Sequence, residues 1–173
     1  MKIRTGFVSN SSSSSFIVAL PTIPKTQEEL QVMLFGEEKF YPNPYIWGNA
    51  PYGWPAEDVS ATVFADFQKD DAQITRDTAL EDAENGYIDG ADRPDYPSHN
   101  RNATPEERAK EWDEYYEQSC IANRTEAQKF LDGVPEGYVL YRVEYSDNDG
   151  DYFTALEHGP LFNKVKALRI SHH

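Results

Sequence analysis

At 173 residues, 39% of them apolar, with 11 Tyr, 9 Phe and 3 Trp, the chain is long enough for one domain with a packed core and too short for two of ordinary size. It carries too much large apolar surface for a disordered chain. The formal net charge of -14 is concentrated in residues 56–117, which hold 18 acids and 6 bases; such a block repels phosphate backbones and lacks the counterion release that drives nucleic-acid binding.

Six serines, Ser9 and Ser11–Ser15, run directly into the apolar stretch Phe16–Leu20. Its length and β-branched content suit a buried strand. A strand must be anchored to pair, so Ser11, Ser12, Ser13, Ser14 and Ser15 are expected to form the polar edge of a core. Their hydroxyls would then meet backbone or C-terminal polar groups rather than act as nucleophiles. Thr26-Gln27-Glu28-Glu29 has the form of a capping box, and Leu30, Met33 and Leu34 follow at helical spacing up to Gly36. Residues 40–55 hold six aromatics, four prolines and two glycines, a composition that predicts an irregular loop. Helical patterning returns after Pro55, with Val59, Val63, Phe64 and Phe67 on one face, and again over residues 72–85 up to Asn85-Gly86.

Residues 86–103 read as a second irregular connection. Thr104-Pro105-Glu106-Glu107 is the clearest helix start in the chain, with Ala109, Trp112 and Tyr116 as the expected buried stripe. Thr125 predicts the start of one more short helix, closed at Gly133. Beyond it, residues 138–146 alternate with the period of a strand, Asp147–Asp151 break it, a short helix ends at Gly159-Pro160, and residues 165–171 are again strand-like. The reading is a single α+β domain, with a small mixed sheet of strands near 16–20, 138–146 and 165–171 packed on several helices, and irregular insertions at 40–55 and 86–103. Parallel pairing of the last two strands is open, since their connection is long enough for a crossover.

Two groups of residues carry the chemistry. If the last two strands are neighbours, their ends bring Asp149, Glu157, His158 and His172 together, and carboxylate with imidazole suits a divalent transition metal. The same residues read more simply as turn, cap and terminal residues, and no HExxH or CxxC spacing is present. Tyr45, Trp47, Tyr52 and Trp54 in the aromatic loop offer contact area for a partner or cover the core. Cys120, the single cysteine, rules out an intramolecular disulfide framework. No apolar run reaches the length of a membrane span or has the order of a secretory signal. The expected location is the cytoplasm.

The head GFVSNSSSSSF and the tail DNDG…ALEHG…SHH resemble the ends of uncharacterised proteins of bacteriophages and some bacteria. The resemblance covers about 18 residues at the head and 30 at the tail. It implies a phage-type accessory protein, acting in the host cytoplasm, and brings no activity or catalytic residue with it. Two functions follow as expectations. One is binding of a host or phage protein through the acidic helices or the aromatic loop. The other is a metal-dependent hydrolytic site in which Asp149, Glu157, His158 and His172 hold the metal or move protons.

Overall fold

The computed structural model describes residues 13–44, 52–97 and 103–172. Its organising element is β1 (Ser13–Leu20), which is buried over seven of its eight residues. It lies between β5 (Val139–Ser146) and β6 (Lys166–Ser171) and pairs antiparallel with both. A strand covered on both faces needs no polar side, which is why Phe16–Leu20 reads as a continuous apolar run. The short β4 (Gln73–Ile74) adds to the outer edge of β5, giving the order β4-β5-β1-β6. The sheet is antiparallel throughout rather than mixed: β5 and β6 do run in the same direction, but β1 separates them.

Each face of the sheet carries its own helical layer. Phe16, Val18 and Leu20 point with Tyr141, Val143 and Tyr145 toward α1 (Gln27–Phe35), α2 (Ala56–Phe67) and α5 (Asp151–His158). Ile17 and Ala19 point with Leu140 and Ile170 toward α3 (Arg76–Glu84) and α4 (Pro105–Asp132). On the first face, Phe67 stacks on Tyr141 with ring centroids 4.2 Å apart.

The capping signals work locally as expected. Thr26 Oγ1 accepts from the Glu29 N–H, although the Glu29 carboxylate accepts from Lys25 N–H rather than from the cap residue itself. Both arms of the Thr104–Glu107 box form.

Four expectations are corrected. The helix expected over 72–85 begins only at Arg76, because Gln73–Ile74 are drawn into the sheet as β4. Thr125 does not start a helix: nothing between it and Thr104 breaks the ladder, its Oγ1 donates to the Ile121 carbonyl, and α4 runs unbroken for 28 residues. The buried stripe of α4 is Tyr115, Ser119, Asn123, Ala127 and Leu131, while Ala109 and Tyr116 are exposed. Finally, the ends of the 40–55 segment pair as a two-stranded ribbon, β2 (Phe40–Pro42) with β3 (Gly53–Pro55). A ribbon consists of two edges, where proline is tolerated.

One close approach fixes the path from α3 to the sheet. A Cβ on Gly86 would stand 2.0 Å from Ile170 Cγ2, so only glycine lets the chain press against β6. Tyr87 then exchanges both backbone hydrogen bonds with Ser171.

Candidate functional site

The head of the chain and its tail meet at one end of the sheet. Ser13 lies opposite Ser146, Ser14 opposite Tyr145 on one side and Ser171 on the other, and His172 N–H donates to the Ser13 carbonyl at 2.8 Å. Because strand side chains alternate, Ser14 and Ser15 open onto opposite faces, and each meets a different part of the tail.

On the α5 face, Ser14 Oγ donates to Glu157 Oε1 and accepts from Arg169 Nε, both at 3.1 Å. Glu157 and Ser14 are fully buried. Arg169 Nη2 lies 3.9 Å from Glu157 Oε1 and 3.1 Å from His158 Nδ1. A guanidinium only donates, so Nδ1 accepts; this is the neutral ring with its proton on Nε2. Nε2 is 3.6 Å from Glu157 Oε2. The Glu157 charge is thus compensated by Arg169 and bonded to a hydroxyl, which are the conditions under which a carboxylate is tolerated inside a protein.

Nearby, burial pushes the Tyr145 phenol well up, with the charge of Asp66 and the hydrogen bond to it adding to the effect. Its hydroxyl donates to Asp66 Oδ2 at 3.1 Å.

Asp147 joins Glu157 and His158, and one ligand atom from each lies within 4.8 Å of the other two. These three are close enough to hold a metal ion. Two members of the sequence-derived set do not join them. Asp149 is exposed at the end of the 3-10 turn after β5, and the strand-proximal Asp147 takes its place. His172 stands on the other face, since it shares the phase of Leu168 and Ile170 rather than that of Arg169. Asp147 was in view in the sequence as part of the DNDGD break. Nothing in the sequence distinguished it from Asp149.

On the α3–α4 face, Ser15 Oγ lies 2.8 Å from His172 Nε2. This pair borders an open cleft of about 460 Å3 that is also lined by Asp66, Lys69, Asp82 and Arg142. Arg142 there contacts Asp82 at 3.1 Å and Asp71 at 3.6 Å. A hydroxyl beside an imidazole has the spacing of a nucleophile and base, but a working triad also needs a group to orient the ring. Among the described residues, no carboxylate bonds the other nitrogen of His172.

The aromatic loop divides. Tyr52 is 76% exposed, whereas Trp54 packs edge-on against Tyr152, ring centroids 5.2 Å apart. Tyr45 and Trp47 lie outside the described residues, as do Ser11 and Ser12.

A more prominent aromatic group gathers at the front of α4; it was missed in the sequence because Tyr96 lies in a separate segment, well before Trp112, Tyr115 and Tyr116. There Tyr96 lies against Trp112 and Tyr115, and Trp112 against Tyr116. Tyr96 and Tyr116 are exposed at 72% and 59%. Around them the first turns of α4 present Glu106, Glu107, Glu111, Asp113 and Glu114 against Arg108 and Lys110, and no residue from Pro105 to Glu114 is buried. No helix among the described residues is long and apolar enough to cross a membrane. Searches against family models, curated proteins and solved structures return no match to this chain.

Proposed function

We propose that the protein acts by binding another protein, and that the projecting front of α4 is the docking surface. The observation that carries this is that no residue of Pro105–Glu114 is fully buried and only Trp112 is half-buried. Ten residues of isolated helix are marginal in water, and the capping box at Thr104 and the Lys110–Glu114 pair are small supports. A helix held out in this way, with exposed tyrosines beside half-buried Trp112 and a rim of carboxylates, has the anatomy of an interface: an aromatic centre inside a charged border. Its charge selects a basic partner and speeds encounter at low salt.

The resemblance of the two ends to phage proteins makes a host or phage protein in the host cytoplasm the expected partner. The test compares wild type with Glu111→Lys/Glu114→Lys as bait in that lysate. A specific partner with a basic contact face should be retained at low salt, released at high salt and lost from the variant. Identical partner lists for the two baits would refute the reading.

A second reading rests on the closeness of Asp147, Glu157 and His158: a divalent metal bound there, activating water for hydrolysis. Arg169 weighs against it. A metal on Nε2 would need the ring proton moved to Nδ1, where Arg169 already donates. Zinc or manganese content near one equivalent after mild purification, abolished by His158→Ala, would favour it; metal-free protein with no thermal shift on adding either ion would remove it.

A further inference from the structure

Behind the docking end, α4 borders a second cleft, of about 330 Å3, whose other walls come from the segment after α3 and from His172. Three features of it point to a ligand. The first is Ser119. It is 7% exposed, and its hydroxyl has no hydrogen-bond partner among the described residues. A buried polar atom in that condition costs stability unless a water or a ligand supplies the missing bond.

The second is Arg93. Its Nε and Nη2 donate to Asn123 Oδ1 at 3.0 and 2.6 Å, Nη2 also donates to the Gly86 carbonyl at 2.8 Å, and the guanidinium lies 4.0 Å above the Tyr87 ring. These acceptors are all neutral. Among the described residues, no carboxylate pairs with Arg93 and nothing accepts from Nη1. The third is the set of rings, with Tyr96 against Tyr115, centroids 4.8 Å apart, and Tyr116 beside them.

Ser119 stands one helical turn from Asn123, the residue that holds Arg93, so the hydroxyl and the guanidinium share one wall. The wall offers one uncompensated positive charge and one hydroxyl next to aromatic faces. We propose that this cleft binds a small planar aromatic monocarboxylate, its ring among the tyrosines and its carboxylate between Arg93 and Ser119. The volume is at the low end for ligand sites, about 300–1,000 Å3, and suits a single ring. A single negative charge fits better than several, because Glu84 in the same wall and the acidic surroundings repel a polyanion. The cleft shares Tyr96 and Tyr116 with the docking surface, but its polar wall of Arg93 and Ser119 lies outside that surface, so ligand binding can be tested apart from the docking reading.

The experiment is an NMR and calorimetric titration of the full chain with 4-hydroxybenzoate. The matched probes are 4-hydroxybenzamide, which keeps the ring and loses the charge, and acetate, which keeps the charge and loses the ring. Saturable binding of the benzoate is expected, with shifts at Tyr96, Ser119 and Asn123 and affinity about tenfold above the benzamide. Ser119→Ala should weaken it about tenfold with the unfolding midpoint held or raised. Arg93→Gln should remove the preference for the charged probe; because Arg93 also ties Gly86 to Asn123, Ser119→Ala decides the matter if that variant does not fold. The proposal is overturned by the absence of saturable shifts at about 10 mM, by equal affinity for benzoate and benzamide, or by unchanged benzoate binding in Ser119→Ala.

Discussion

Ser14 and Ser15 are neighbours on one strand and end in opposite circumstances. Ser14 is sealed in a charged knot with Glu157 and Arg169, every contact made within the chain. Ser15 meets a single imidazole at the border of an open cleft. A two-residue period does this to any strand with two covered faces, so a run of identical residues is not one feature. The comparison also separates kinds of function. The closed face can hold the head against the tail, and the open face borders a cleft with room for a ligand.

The comparison breaks most visibly at Arg169. Replacing it with Met leaves the buried Glu157 carboxylate without its cation and is expected to cost about 3–5 kcal/mol in urea unfolding. Adding Glu157→Leu should restore most of that loss, because a buried ion pair is dispensable when both members leave together. If the single variant is as stable as wild type, the knot is not what closes this face.

The serines give a finer contrast. Ser14→Ala removes one partner from each of two charged groups and should cost about 1–3 kcal/mol, whereas Ser15→Ala should cost less than about 1 kcal/mol, since half-buried His172 can turn to water. Equal losses would erase the distinction between the faces.

How far the sequence reveals this follows the range of each signal. The strand after the serines, the capped starts at Thr26 and Thr104 and the stop at Gly36 rest on a few consecutive residues, and each appears where its local chemistry acts. What depends on pairing was not legible. The insertion of β1 between β5 and β6 excludes the direct parallel pairing that the sequence left open, and the phase of β6 puts His172 on the face away from Glu157. The Tyr96–Trp112–Tyr116 group and the Arg93–Asn123 contact likewise join residues that only the packing of the chain against α4 brings near.

The two faces should also differ at alkaline pH. The phenols of Tyr41, Tyr141, Tyr145 and Tyr152 all lie on the Ser14 face, and in each desolvation raises the pKa. A raised phenol pKa means stability that is complete below the unfolded value, about 10, and lost as pH rises toward the folded value. Unfolding free energy should therefore fall above about pH 10, each such tyrosine contributing up to about 1.4 kcal/mol per pH unit. Tyr145→Phe should be less stable at neutral pH, having lost its bond to Asp66, yet fall less steeply above pH 10. Parallel curves for the two proteins would show that Tyr145 ionises while still folded.

The smallest effect belongs to the other layer, where α4 is itself divided between a packed half and a projecting one. The backbone N–H of Thr104 holds the Glu107 carboxyl below its usual range, with the Thr104 side chain adding to the effect. A depressed carboxyl pKa gives a contribution present above the unfolded value, about 4.3, and lost as pH falls through the folded one. Because every residue of Pro105–Glu111 is exposed, loss of the cap should fray these turns without unfolding the domain. Amide exchange over residues 105–114 should accelerate in Thr104→Ala at pH 7, and in wild type as pH is lowered below about 4 relative to the intrinsic rate. The exchange of residues 119–131 should stay unchanged in both cases. A global loss of protection would mean that the front of α4 is coupled to the core and does not project as an independent surface.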